Sequence, residues 1–368
     1  MRIPLAKPEI GPAEREAALR VLAGTTLACG PEIAAFEGEF AKYTESKGAV
    51  AMNSGTSGLI AALAALGVGS GDEVLIPAFT FVATANAVLH RGAQPVLVDV
   101  DPVTMSITPE TLVDSMGPQT RAVIVVHLFG RPVSMDAVVA LARQHDCAVI
   151  EDACEALGAR WGDRSVGSSG DAGVFGFYPN KPMTTGEGGM LVADDPEVLS
   201  RCRALANQGR DGEVWVEQAM PGYSFRMNEI AAAIGRAQLA SMDARLSRLA
   251  TVAALYQQAL EGSAGGSALG LPQLELPGAT RSWFTYPVLL PERVDRDAVR
   301  SRLVAAGIAS AAYFPPLHRL PGLVDRVRIC GPLSNSDDLG RRLLSLPLWS
   351  GMEEGEVAEV AEVLMAAM

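Results

Sequence analysis

Cysteine is scarce in this chain: five in 368 residues, at Cys29, Cys147, Cys154, Cys202 and Cys330. The number is odd and no two sit at C-x-x-C spacing, which argues against a disulfide framework or a zinc knuckle and suits a reducing cytoplasm. Histidine is scarcer still. His90, His127, His145 and His318 form no H-x-x-x-H or H-E-x-x-H pattern, so a histidine-built metal site has no support. Basic residues are in deficit, with 30 Lys and Arg against 42 Asp and Glu and a net charge of −12. That balance argues against nucleic acid or an anionic membrane as partner. Long apolar runs are missing too. Leu59–Val68 and Ala122–Val126 fall far short of the roughly 20 residues a membrane span needs. The opening MRIPLAKPEI has no apolar core of signal-peptide length. A soluble, cytoplasmic protein is expected. No G-x-x-x-x-G-K-[ST] occurs. Gly67–Asp72 is not G-x-G-x-x-G and follows a helical pattern, so neither nucleotide fingerprint is present.

What the chain does have is the material of a packed core: 49% hydrophobic and 20% charged residues, over a length that predicts two domains. Apolar runs at Ala49–Met52, Glu73–Ile76, Pro95–Val100, Ala122–Val126, Ala148–Glu151, Gly173–Phe177 and Gly189–Ala193 read as strands. Several are continuous rather than alternating, the mark of strands buried on both faces in a mainly parallel sheet. Helical spacing fills the gaps at Thr56–Leu66, Thr80–Leu89, Met135–His145 and Pro196–Ala206, and one long helical pattern starts at Asn228. Gly, Ser and Pro cluster through Gly262–Pro277. A strand at Trp283–Leu289, a helix at Asp295–Ala306, a Pro- and aromatic-rich loop at Tyr313–Pro321 and a helix from Glu354 follow. The expected fold is α/β. Residues 1–245 form a large domain with a mainly parallel seven-stranded sheet covered by helices, and residues 246–368 a smaller α+β domain.

Three segments carry chemistry. Ser54-Gly55-Thr56-Ser57 lies between a strand and a helix, where free backbone N–H groups and the helix dipole favour a phosphate. It also suits a plain helix N-cap. Glu151-Asp152 ends a strand, where open parallel sheets bind ligands. A carboxylate there could hold a protonated ring nitrogen, or serve as a cap or a buried ion pair. Phe177 to Gly189, read FYPNKPMTTGEGG, sets Lys181 between a strand and a glycine-rich turn. Desolvation there would suit an imine-forming lysine, while a solvated loop lysine is the plainer alternative.

Through these segments the chain resembles the DegT-type sugar aminotransferases, pyridoxal 5′-phosphate (PLP)-dependent enzymes of the aspartate-aminotransferase-like fold type I. The resemblance runs along nearly the whole chain: Gly30-Pro31, Asn53–Ser57, Gly71–Val74, Pro77–Thr84, Val98–Asp101, His127–Gly130, Glu151–Ala153, Lys181 with its glycine tail, Gly222–Glu229 and Tyr313–His318. It implies that Lys181 joins PLP covalently and later moves a proton, and that Asp152 pairs with the pyridine nitrogen. It implies that Phe81 stacks on the ring and that Gly55, Thr56 and Ser57 hold the phosphate. Ser224 and Arg226 would reach a neighbouring subunit's site, so the working unit would be a homodimer.

The sequence departs from the family pattern at Gly176, commonly a phosphate-binding Ser, and at Ser224, commonly Asn. It departs again at Gln208, commonly His, and at Glu155, commonly a Gln near the cofactor's phenolic oxygen. A subfamily with His in place of the lysine dehydrates its substrate, and Lys181 argues against that chemistry. The implied reaction moves an amino group from an amino acid, expected to be glutamate, to a keto group of a nucleotide-linked deoxysugar. Arg210 and Arg226 are candidates for anionic substrate groups by charge. A keto-cyclitol or other non-nucleotide acceptor, or a non-catalytic PLP-binding paralogue, are the alternatives.

Overall fold

The computed structural model describes residues 1–210, 218–263 and 265–368. The large sheet contains β1 (Gly48–Met52), β2 (Glu73–Pro77), β3 (Gln94–Val98), β4 (Thr120–Val126), β5 (Ala148–Asp152), β6 (Ala172–Gly176) and β7 (Gly189–Ala193). Further along the chain come β8 (Tyr286–Leu289), β9 (Arg328–Ile329) and β10 (Leu343–Leu346). The order across the sheet is β1-β7-β6-β5-β4-β2-β3-β9. Only β7 runs against its neighbours. All seven expected strands are present, in a mainly parallel sheet. An eighth, β9, pairs parallel with the edge strand β3; its two exposed residues carry no apolar signal in the sequence.

The continuous apolar runs have a simple cause. Val74 and Ile76 of β2, Ile124 of β4 and Ile150 of β5 face one hydrophobic layer with Leu59 and Leu63. Leu75, Val123, Val125 and Val149 face the opposite layer with Met135 and Val138. Successive side chains on a strand point to opposite faces, so a strand covered on both sides is apolar throughout. Each fully buried Val, Leu or Ile contributes about 1.5–3 kcal/mol.

The longer helices are α1 (Pro12–Leu22), α2 (Pro31–Tyr43), α3 (Gly55–Ala65), α4 (Val82–His90), α5 (Met135–Gln144), α6 (Pro196–Ala206), α7 (Glu229–Ala240), α8 (Met242–Glu261), α9 (Arg296–Ala305), α10 (Ser334–Arg342) and α11 (Glu354–Ala367). The pattern expected to run unbroken from Asn228 is two helices. Ser241 interrupts it: its N–H and hydroxyl both bond the Gln238 carbonyl, closing α7 before α8 starts. Asn228 caps α7, and the next residue, Glu229, accepts the N–H groups of Gly30, Glu32 and Ile33 at the start of α2. A carboxylate at a helix N-terminus satisfies orphan donors and complements the dipole.

A separate core gathers Leu249, Tyr256 and Leu260 of α8 with Tyr286, Leu344 and Leu364, and Ile3 from the start of the chain joins it. β8 and β10 pair antiparallel beside it. Among the described residues, no helix is long and apolar enough to cross a membrane. The same residues hold no cluster of three or more His, Cys, Asp or Glu able to bind a metal.

Candidate active site

Four parallel strands, β1, β2, β4 and β5, deliver chain to one cavity of about 430 Å³ at their carboxyl ends. α3 begins beyond β1, Thr80 and Phe81 follow β2, Leu128 follows β4, and Asp152 is the last residue of β5. Lys181 enters the same cavity from the turn between β6 and β7. Ligands of open parallel sheets bind at this edge.

Glu151 and Asp152 have opposite fates because neighbouring strand residues point to opposite faces. Glu151 is fully buried. It accepts from His127 Nε2 at 2.8 Å and from the N–H groups of Gly167, Ser169 and Gly170. Val133 N–H donates to His127 Nδ1, so the imidazole proton sits on Nε2. Burial works to raise the Glu151 carboxyl, but these hydrogen bonds hold it below the usual carboxylate range. Glu151 therefore serves the frame, the buried-pair alternative for this dipeptide. Asp152 faces the cavity, with Oδ2 accepting from Thr84 Oγ1 at 3.0 Å and Oδ1 from Cys154 N–H at 3.2 Å.

Lys181 is not a solvated loop lysine. Its side chain is 15% exposed, and Nζ lies 3.3 Å from Glu155 Oε1 and 4.0 Å from the centroid of the Phe284 ring. Glu155 Oε2 accepts from Phe129 N–H at 3.1 Å. Burial raises the Glu155 carboxyl above its usual range, against the pull of Lys181 and this backbone donor. Phe81 is no core aromatic. It is 54% exposed, precedes α4 as its N-cap, and stands 5.7 Å from Phe314, centroid to centroid.

At the start of α3, Ser54 Oγ accepts from Ser57 N–H, so the segment does form an N-cap. Gly55 and Thr56 line the cavity. A Cβ on Gly55 would come 2.6 Å from Cys154 Sγ, which explains the glycine. Ser57 sits behind them, buried, its hydroxyl engaged with Asn53 Oδ1 at 2.6 Å and Ser54 Oγ at 2.9 Å. Ser224 also stands apart from the cavity. Its hydroxyl accepts from Arg226 Nη2 at 2.9 Å, and Arg226 and Arg210 both reach the Asn207 side chain. The arrangement thus brings Gly55, Thr56, Phe81, Asp152, Glu155 and Lys181 together, and leaves Ser57 and Ser224 outside the group.

Thr84, Thr80, Asn180, Cys154 and Phe284 belong to the site without having been singled out. Thr84 lies in the first turn of α4, and the only sequence signal for it was its place at the end of the matched Pro77–Thr84 stretch. Thr80 Oγ1 and Asn180 Oδ1 are buried in the cavity wall without a hydrogen-bond partner among the described residues. Such orphaned groups are costly unless a ligand meets them. With an exposed aromatic face, a buried carboxylate, a desolvated lysine and a helix N-terminus around one space, the residues fit PLP: aldehyde, ring nitrogen, ring face and phosphate each have a matching group.

That layout defines a PLP-dependent enzyme of fold type I. The DegT/DnrJ/EryC1/StrS aminotransferase family profile matches residues 8–365. GDP-perosamine synthase of Caulobacter vibrioides is 37% identical over 366 residues, spanning 99% of this chain and 97% of its own. The aminotransferase structure from Psychrobacter cryohalolentis superposes with a TM-score of 0.91 at 31% identity, covering 98% of this chain and 97% of that one. DesV of S. venezuelae does so with 0.89 at 35% identity, covering 96% and 93%. The chain belongs to the DegT/DnrJ/EryC1/StrS aminotransferase family and is a PLP-dependent aminotransferase.

Proposed function

We propose that the protein transfers an amino group from an amino acid, glutamate first among donors, to the keto carbon of a nucleotide-linked deoxysugar in amino-sugar biosynthesis. The observation that carries this reading is the convergence of Lys181 and Asp152 on one cavity, in a chain 37% identical to a GDP-perosamine synthase along nearly its full length. PLP, when bound, supplies an electron sink for the carbanion that forms at the substrate carbon. Lys181 Nζ would serve as the general base and then the general acid for the substrate's proton in each half-reaction, giving ping-pong kinetics. Asp152, oriented by Thr84, holds a proton on the ring nitrogen. Phe81 covers one ring face. Gly55 and Thr56 hold the phosphate through backbone and hydroxyl donors, with Ser57 keeping the α3 N-terminus in shape from behind. Phe284 and Phe314 exclude water beside Lys181.

In this reading Ser224 and Arg226 serve the site of a second copy, and the protein works as a cytoplasmic homodimer. Residues 1–245 act as the large, cofactor-binding domain and 246–368 as the small one. The test is a screen of keto-sugar nucleotides with glutamate against the PLP-loaded enzyme, read by mass spectrometry. An aminated sugar nucleotide is expected. Conversion of a keto-cyclitol alone would move the acceptor outside the nucleotide sugars.

A further inference from the structure

A second cavity, of about 240 Å³, lies across the Leu128–Gly130 turn from Lys181. Its charged lining residues are two arginines, Arg131 and Arg281. Arg131 Nη1 donates to Gln273 Oε1 at 3.0 Å. Arg281 points Nε and Nη2 at the Phe129 carbonyl, at 3.4 and 3.3 Å, and lies over the Trp283 ring at 4.2 Å. Among the described residues, neither guanidinium forms an ion pair with a carboxylate. Other arginines of this chain do: Arg236 with Glu32 and Glu39, Arg143 with Asp171, Arg319 with Asp337. The acid that bears on Arg131 is Asp101, and its Oδ1 is occupied by the N–H groups of Val103 and Thr104. In the same wall Thr104 Oγ1 is buried without a partner among the described residues.

Two partly buried cations sharing one small space, with no carboxylate in ion-pair contact among the described residues, are unfavourable. Burial and the neighbouring Arg131 push Arg281 down to about 9, and burial lowers Arg131 as well; a guanidinium keeps its proton at neutral pH. The turn between the two cavities is firmly placed. Gly130 has φ +80, a Cβ there would lie 1.7 Å from Ser282 O, and Ser282 N–H bonds the Gly130 carbonyl at 3.0 Å. The backbone that carries Arg131 and Arg281 is therefore fixed, and the guanidiniums are placed by Gln273, the Phe129 carbonyl and the Trp283 ring.

We propose that this cavity binds a phosphoryl group, at a site separate from the phosphate position at the start of α3. A phosphoryl dianion carries about the charge needed to balance two guanidinium groups. Its oxygens suit their planar donor forks, and the Thr104 hydroxyl supplies one more donor. The volume is below the roughly 300 Å³ at which sites for drug-sized ligands begin, so the ligand is inorganic phosphate or a small organic phosphate.

The experiment titrates PLP-loaded enzyme, whose α3 site is filled, with inorganic phosphate by calorimetry at constant ionic strength. Succinate serves as the dicarboxylate control, and glycerol 3-phosphate separates free from organic phosphate. Phosphate binding is expected, weakened about tenfold or more in both R131Q and R281Q and by less in T104V. If R281Q does not fold, R131Q and T104V carry the comparison. Absence of phosphate binding, binding unchanged in R131Q, or equal binding of succinate would overturn the assignment.

Discussion

The ε-amine of Lys181 and the carboxylate of Glu155 stand 3.3 Å apart in a largely buried pocket, and the far oxygen of Glu155 is tied to the Phe129 backbone. An anion held this close favours the protonated form of any nitrogen at the lysine position. Glu155→Gln should therefore move the pH midpoint of the bound cofactor's absorbance change to lower pH. A spectrophotometric titration of the holoenzyme checks this, and an unmoved midpoint would mean that Glu155 carries no charge there.

Asp152→Asn should leave the fold intact and lower kcat by about 10²–10³, because the ring proton loses its carboxylate partner. Thr84→Val removes the hydroxyl that bonds Asp152 Oδ2. A hydrogen bond to a buried charged group contributes about 1.5–3 kcal/mol, so this variant should unfold at lower urea and bind PLP more weakly. Steady-state kinetics, urea melts and cofactor titrations read the two variants.

Glu151→Gln should destabilise the protein by about 1.5–3 kcal/mol, the usual worth of a hydrogen bond to a buried charged group. It also aims an amide donor at backbone N–H groups. The Glu151 carboxyl is held below its ordinary 4.5 in the folded state. Its contribution is therefore fully present above that pH and lost as the pH falls through the lower, folded value. Urea melts at a series of pH values should show the gap between wild type and variant at its full size at pH 7 and shrinking below 4.5.

Much of the fold was legible because burial on both faces writes continuous apolar runs, as at Val123–Val126. The break at Ser241 was not legible, since a single polar residue at the junction of two helices leaves the helical spacing of its neighbours undisturbed. β9 was invisible because its two residues are exposed and pair through backbone alone. At the site, the resemblance supplied Lys181, Asp152 and Phe81, and the structure set all three around one cavity. The resemblance named Asp152 and not Glu151, and strand alternation supplies the physical reason. It did not expose Phe284, which arrives from far along the chain to lie against Lys181.

If Arg226 completes the site of a neighbouring subunit, Lys181→Ala and Arg226→Ala lose activity for reasons located in different copies. Mixing the two variants under conditions of subunit exchange should then restore part of the activity through hybrid dimers. Activity that stays at the level of the separate variants, with exchange shown by mass spectrometry, would place Arg226 in its own subunit's machinery or outside the site.

The most direct test of the account is borohydride reduction of the PLP-loaded protein, followed by digestion and peptide mass spectrometry. The pyridoxyl adduct should sit on the peptide containing Lys181, and be absent from Lys181→Ala. An adduct on any other lysine, or none on a protein that still transaminates, would contradict the central claim.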